Sequence, residues 1–285
     1  MHRIDGPGAT VDNKFTDGDP VGGVQATMVT DDWLNDVQEN IMAVLVTAGV
    51  APTKGRAADL LDSIKVLARG RLIAVQVFNT PGTFTYTPTP GMGTVNIKVQ
   101  GAGAPGAGLT TPSAGNVSMG APGGAGSFAE GLFTAAQIGA SKTVVVGATG
   151  TVGLGVSATN GGSTSVGGLI SAPGGIGGGA LNNVVPGGMN GNGGLAGTPS
   201  GANISKAIGN NTSPSFSISA SMAIAGAGGR SLFGEGGSPP TINGGPVAAV
   251  NFGAGGSGCV AGSGGASVTG ALGGGGIAIL TEYAQ

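Results

Sequence analysis

Reactive and charged side chains are scarce in this sequence. Only 8% of residues are Asp, Glu, Lys or Arg, and there is one histidine, His2, and one cysteine, Cys259. A single cysteine excludes an intrachain disulfide. One nitrogen ligand and one sulfur ligand do not make a zinc site. A Ser-His-Asp or Cys-His arrangement would have to recruit His2 from the N-terminal end. The net charge is −2 and no Lys/Arg cluster is present, so no nucleic-acid partner is expected. The longest apolar run, Ile41 to Val50, is broken by Thr47 and Gly49. It falls far short of the roughly 20 residues that span a bilayer, so membrane insertion is not expected. Asp5, Asp12 and Asp17 mark the N-terminal segment, which has no apolar h-region. No signal peptide is expected, and synthesis in a cytoplasm is.

Acids are rarest where an enzyme of surface sugars would need them. Beyond Thr80 the acids are Glu130, Glu235 and Glu282, with no Asp and no His. Glycoside hydrolysis normally takes two carboxyl groups facing one bond. Glu282 falls in the last expected strand, which leaves Glu130 and Glu235 as the only candidate pair. The plainer reading is that both are solvated surface charges, and the chain is expected to be non-enzymatic. Asp12, Asp17 and Asp19 lack the calcium-loop spacing and its terminal Glu, so turn chemistry accounts for them. Gly101-Ala-Gly-Ala-Pro-Gly106 matches a dinucleotide-loop pattern, but Pro105, Gly108 and Pro112 forbid the helix such a site needs. No catalytic residue, cofactor or metal is therefore expected.

What the chain has in excess is glycine: 63 of 285 residues, against a usual share of about 7%. There is no Gly-X-Y period, which excludes collagen, and the low charge argues against simple disorder. Ten of the thirteen acids and seven of the eleven bases precede Thr80. That step in composition places a domain boundary near Arg69 to Leu72.

The first part divides into an irregular segment, 1–30, and a helical hairpin, 31–70. Gly6-Pro7 and Asp17-Gly-Asp-Pro20 are turn signals. Thr30 is the expected N-cap of a first helix, with Asp31 and Asp32 in its first turn and Gly49 just past its end. A second helix is expected over 56–69. Leu34, Val37, Ile41, Val44 and Ala48 fit both a helical face and a heptad, and Leu60, Ile64 and Leu67 stripe the second helix. These residues either pack a monomeric hairpin against the rest of the chain or form a self-association seam.

The second part, 71–285, reads as a mainly β domain. Runs at 73–78, 83–86, 94–100, 127–133, 142–146 and 276–283 are β-branched and aromatic between Gly/Pro turns, the signature of a β-sandwich. Glycine-rich stretches, 101–126 and an insertion at 173–276, lie between them. Chains so poor in side chains approach one another closely. They form either polyproline-II-like helices of polyglycine-II type, stacked through backbone hydrogen bonds, or tight β loops. Phe216 and Phe233 are placed in loops near Asn210, Asn211 and Arg230. They either anchor the glycine-rich layer or make a recognition patch.

These residues resemble a family. Asn13-Lys-Phe-Thr-Asp-Gly-Asp-Pro20, Ala26-Thr27, Trp33-Leu34-Asn35 and Val37-Gln38-Glu39, continued by Ala48-Gly49-Val50, Asp59-Leu60-Leu61 and Ser63-Ile64, look like the N-terminal segment of phage and prophage tail fibres. Gly131 to Val146, Gly161 to Ile170 and Ile277 to Tyr283 resemble the glycine-rich distal domain of such fibres. The resemblance implies a homotrimer within the virion tail. Its N-terminal part would dock to the baseplate or tail tip. Its distal part would touch a bacterial surface receptor, whether pilus, lipopolysaccharide or outer-membrane protein. A purely structural glycine-rich virion or surface protein is the alternative, and a polysaccharide depolymerase a more distant one.

Overall fold

The computed structural model describes residues 2–191, 195–210 and 212–285. It divides into two compact units, Met1–Arg71 with Gln285, and Leu72–Ala284.

In the first unit, helix α1 spans Asp31–Ala48 and α2 spans Asp59–Leu67. Thr30 caps α1 by accepting from the Trp33 amide, Asp31 and Asp32 sit in its first turn, and Gly49 ends it at φ 69°. The expected start of α2 at Arg56 is three residues early. Asp59 explains the difference: its carboxylate accepts from the Thr53 amide at 2.7 Å and from Arg56 at 2.8 Å. Both partners are thereby held in a turn ahead of the helix. The irregular segment is tied down by Ile4, which is 2% exposed, and by the Phe15 ring set edge-on against Trp33 at 5.2 Å.

The second unit is mainly β. Its largest sheet orders β1 (Leu72–Phe78), β17 (Ile277–Ala284), β3 (Met92–Gln100), β5 (Phe128–Thr134) and β11 (Ser205–Ala207). Every pairing in it is antiparallel. A second sheet orders β2 (Gly82–Tyr86), β6 (Lys142–Val146), β7 (Thr164–Val166) and β8 (Ile170–Ala172). Alternation puts Val95, Ile97, Val99, Ala278 and Leu280 on the inner face of the first sheet, against Tyr86, Val144, Val146, Val166 and Ile170 of the second. Helix α3 (Ala135–Ile138), opened by a Thr134/Gln137 capping box, closes one edge with the buried Ile138.

Beyond the sandwich the glycine-rich segments take the backbone-bonded form. Residues 101–109 give their amides to three neighbours in rotation. Gly101, Ala104 and Ala107 donate to Ser127, Gly124 and Ala121. Ala102 and Gly108 donate to Gly162 and Val156. Gly103, Gly106 and Leu109 donate to Gly274, Ala271 and Val268. Pro105 takes the one place in the rotation that has no amide to give. A partner that recurs every third residue is the period of a polyproline-II helix. Such a helix is normally hydrated; here neighbouring backbones replace the water.

Three such segments, 101–109, 121–127 and 253–259, are buried throughout. They bond in a closed triangle, Ala104 N to Gly124 O at 3.0 Å, Gly123 N to Gly256 O at 2.9 Å and Gly256 N to Ala104 O at 3.0 Å. A β-carbon on Gly103, Gly106, Gly123 or Gly255 would lie 1.9–2.0 Å from a neighbour's carbonyl oxygen. None of the four has φ in the left-handed region. Glycine is required there by close approach rather than by backbone freedom.

The segment 101–109 leaves the end of β3. At about 3.1 Å per residue it carries the chain about 25 Å from the sandwich. Two small sheets finish that far end, and a two-stranded pair lies back at the sandwich end beside the Phe128–Phe233 contact. They are β4 (Val117–Gly120) between β9 (Ala180–Val184) and β16 (Cys259–Ala261); β12 (Ser215–Ser219) between β10 (Met189–Asn190) and β13 (Met222–Ile224); and the pair β14 (Gly234–Glu235) and β15 (Val250–Asn251). Val117, Met119, Ala223, Ala225 and Val260 form a second buried cluster beneath the β12–β13 hairpin.

Candidate functional site

Two kinds of surface stand out, one in each unit. In the first, the helices bury Leu45, Asp59 and Ser63 and leave their apolar stripes open. Leu34, Ile41, Leu60, Ile64 and Leu67 are 38–54% exposed, and Val37, Val44 and Ala48 are half-buried. A lone hairpin thus keeps an unpaid apolar face in water.

In the second unit, the far end of the polyproline-II layer presents apolar side chains. Met189, Ile218, Met222 and Ile224 are 53–71% exposed on the β10–β12–β13 sheet. A groove of about 380 Å³ runs beside the hairpin, between Met222 to Ile224 and the stretch Pro239 to Ile242. The scaffold below contains few charges, so the hairpin offers shape and apolar area on a base fixed by backbone bonds.

The residues singled out in the sequence as receptor contacts separate. Phe216 is not in a loop. It lies in β12, half-buried, opposite Met189 and Ile224. The alternation Ser-Phe-Ser-Ile-Ser across 215–219 is a period-two signal that marks this strand. Phe233 packs edge-on against Phe128 at 5.9 Å, so it serves as an anchor of the layer. Asn210 and Arg230 come together around a second cavity, of about 230 Å³, at the sandwich end of the layer. Asn211 lies outside the described residues.

Arg230 pairs with Glu235, Nε to Oε2 at 2.5 Å and Nη2 to Oε1 at 2.6 Å. The hydrogen bond to Arg230 holds the Glu235 carboxyl below its ordinary range. Glu130 belongs to a different set: it faces Lys98 at 3.4 Å and accepts from Asn96 at 3.0 Å. The two carboxylates that sequence reasoning set side by side therefore have separate partners. Glu282 is fully buried and accepts from Gln76 at 2.9 Å and from the Thr89 amide at 3.0 Å. Burial, with the neighbouring Glu282 carboxylate adding to it, raises the pKa of the Tyr86 hydroxyl. Burial pushes the Cys259 thiol up to about 12.

Gly101 to Gly106 is the buried, backbone-bonded segment described above, and no helix follows it. Among the described residues no group of three His, Cys, Asp or Glu side chains is placed to hold a metal ion. Among them, too, no helix is long and apolar enough to cross a membrane.

Comparison with known proteins gives one partial likeness. The chain is 36% identical over 77 residues to "Uncharacterized protein StfP" of Escherichia coli (strain K12). The aligned stretch is 25% of this chain and 37% of that protein. No family model matches.

Proposed function

We propose that this protein is a non-catalytic tail-fibre component. Three copies would join through the helical hairpin, and the far end of the glycine-rich layer would bind a bacterial surface receptor. The observation that carries the reading is the pairing of a side-chain-poor scaffold with an exposed apolar hairpin at its end. Backbone bonds hold the scaffold, so the hairpin loses little freedom on contact. The tail-fibre resemblance of the first 70 residues and the partial likeness to StfP support the same reading, as does the open apolar face on α1 and α2. The virion tail, with attachment to a baseplate or tail tip, follows from the resemblance.

Competition tests it. Purified protein added to susceptible cells should lower the fraction of phage that adsorbs. Adsorption unchanged at saturating protein would leave the structural alternative, a glycine-rich virion or surface protein with no receptor.

A further inference from the structure

The free edge of the β12–β13 hairpin has the chemistry of a strand-pairing site. β13 is an edge strand and pairs only with β12. The bonds of β12 tell which backbone groups of β13 face away from it. The Ser217 amide donates to the Gly188 carbonyl at 3.1 Å, and the Ser217 carbonyl accepts from the Gly187 amide at 3.1 Å. Both main-chain groups of Ser217 therefore turn away from β13. Ser217 lies opposite Ala223, and the register shift in this ladder comes only after that pair. The two are thus a non-hydrogen-bonded pair, in which each residue points its N–H and C=O outward. For Ala223, outward is the free edge. Among the described residues neither group has a partner. The Ala223 methyl is buried in the cluster beneath the hairpin, so what Ala223 gives to the groove it lines is main chain.

Each feature of this edge restricts the partner. A free N–H and a free C=O on one residue ask for a residue that returns both, which an extended peptide does. Met222 and Ile224 flank Ala223 and are 57% and 53% exposed, so the added strand needs apolar side chains on that face. The groove walls, 221–224 and 239–242, contain no charged side chain, so the added strand is neutral. Pro239 and Pro240, across the groove, have no amide to offer and do not close the edge themselves. Edge strands are usually blunted by charge, proline or a bulge; Met222, Ala223 and Ile224 supply neither of the first two. At about 3.3 Å per residue β13 is about 10 Å long and pairs with about three residues. Such a contact is far smaller than the roughly 800 Å² per partner of a stable association, so it fits a segment of a partner rather than a second copy of this chain.

We infer that the edge of β13 takes up a short, extended, neutral and apolar segment of a host-surface protein, which joins the β10–β12–β13 sheet as a further strand. The inference rests on the attachment reading for the source of the segment, and it makes the receptor a protein rather than a glycan.

Labelled full-length protein, counted on susceptible cells left intact, shaved with protease or treated with periodate to cleave sugar diols, tests it. Protease should lower saturable binding at least about tenfold, and periodate should leave it unchanged. Ala223→Pro removes the free N–H, and proline is tolerated at an edge whose N–H faces out. The variant should fold and lose binding at least about tenfold. Thr241 is exposed on the opposite wall, so Thr241→Trp fills the groove; it should lose binding with an unchanged unfolding temperature, and it carries the test if Ala223→Pro does not fold. In the free protein the Ala223 amide should exchange with solvent faster than that of Ile224, which faces Phe216 in the ladder. Four outcomes overturn the inference: binding that survives protease, binding lost to periodate, binding that survives a folded groove variant, or an Ala223 amide as protected as that of Ile224. Each would leave the cell-attachment reading standing, because intact cells still bind the protein. No binding to intact cells would remove the attachment reading itself, and the inference with it.

Discussion

The carbonyl oxygen of Ala104 lies 2.0 Å from where a β-carbon on Gly123 would sit, while the Ala104 amide donates to Gly124 at 3.0 Å. Two backbones are in contact with no room for a side chain between them. The same relationship recurs around Gly103, Gly106 and Gly255. It explains how a chain with 8% charged residues and few large apolar ones folds at all: dense backbone bonding stands in for side-chain packing.

Substitution at such a position should therefore be costly. Gly123→Ala forces two buried segments apart and should lower stability by at least about 1–3 kcal/mol, the range for overpacking. Gly245→Ala is the control, since it meets nothing within 4 Å and has no left-handed φ. It should be neutral or stabilising by about 0.4–1 kcal/mol, through reduced freedom of the unfolded chain. Urea denaturation of the two variants checks the contrast.

Ile41→Asp places a charge in the open stripe of α1, where Ile41 is 41% exposed. A lone hairpin would tolerate it. In a three-chain seam it would be buried beside its copies, so the variant should scatter light as single chains while the parent scatters as three. Equal masses for the two proteins would remove the seam.

Glu282 is fully buried and serves two donors, Gln76 and the Thr89 amide. Glu282→Ala leaves the Thr89 amide without its acceptor and Gln76 with the Thr87 carbonyl alone, and should cost about 1–3 kcal/mol. A chemical-denaturation midpoint within error of the parent's would contradict that.

His2 should make the N-terminal segment sensitive to pH. Its Nδ1–H donates to the Asp36 carboxylate at 2.6 Å, and that hydrogen bond, helped by the charge of Asp5, raises its pKa above 6.5. A raised folded pKa means the tie is fully present below the unfolded value and fades as pH rises through the folded one. Backbone relaxation of residues 3–8 should show faster motion above that pH, and Asp36→Asn should abolish the dependence.

Cys259 should be inert. It is fully buried, with its thiol pushed up to about 12, so little thiolate exists near neutral pH. Reaction with a disulfide reagent should proceed only as fast as the second unit opens, and a faster reaction would show that the layer breathes locally.

Much of this fold is legible in the residues. Thr30, Asp31, Asp32 and Gly49 announce both ends of α1, period-two alternation announces β3, and β-branched and aromatic runs announce β1 and β17. The start of α2 is less so, because the Asp59 carboxylate holds the Thr53 amide and Arg56 in a turn ahead of the helix. The choice between stacked helices and loops is not legible, for a physical reason. Glycine is needed where a neighbour's carbonyl comes close, and the neighbours of 101–109 lie at 121–127, 156–162 and 268–274. Close approach between distant segments leaves no local period. The burial of Gln100 is hidden in the same way. Alternation puts Gln100 on the outer face with Asn96 and Lys98, and residues distant in sequence, Gly253 and the segments around 207–210 and 230–232, bury it.

The central claim is that an exposed hairpin on a backbone-bonded scaffold does the attaching. Labelled wild-type protein and the Met222→Asp/Ile224→Asp variant, matched for unfolding temperature, can be counted on susceptible cells. Saturable wild-type binding that falls at least about tenfold in the variant is the predicted result. Equal binding by both proteins, or none by the wild type, would contradict it.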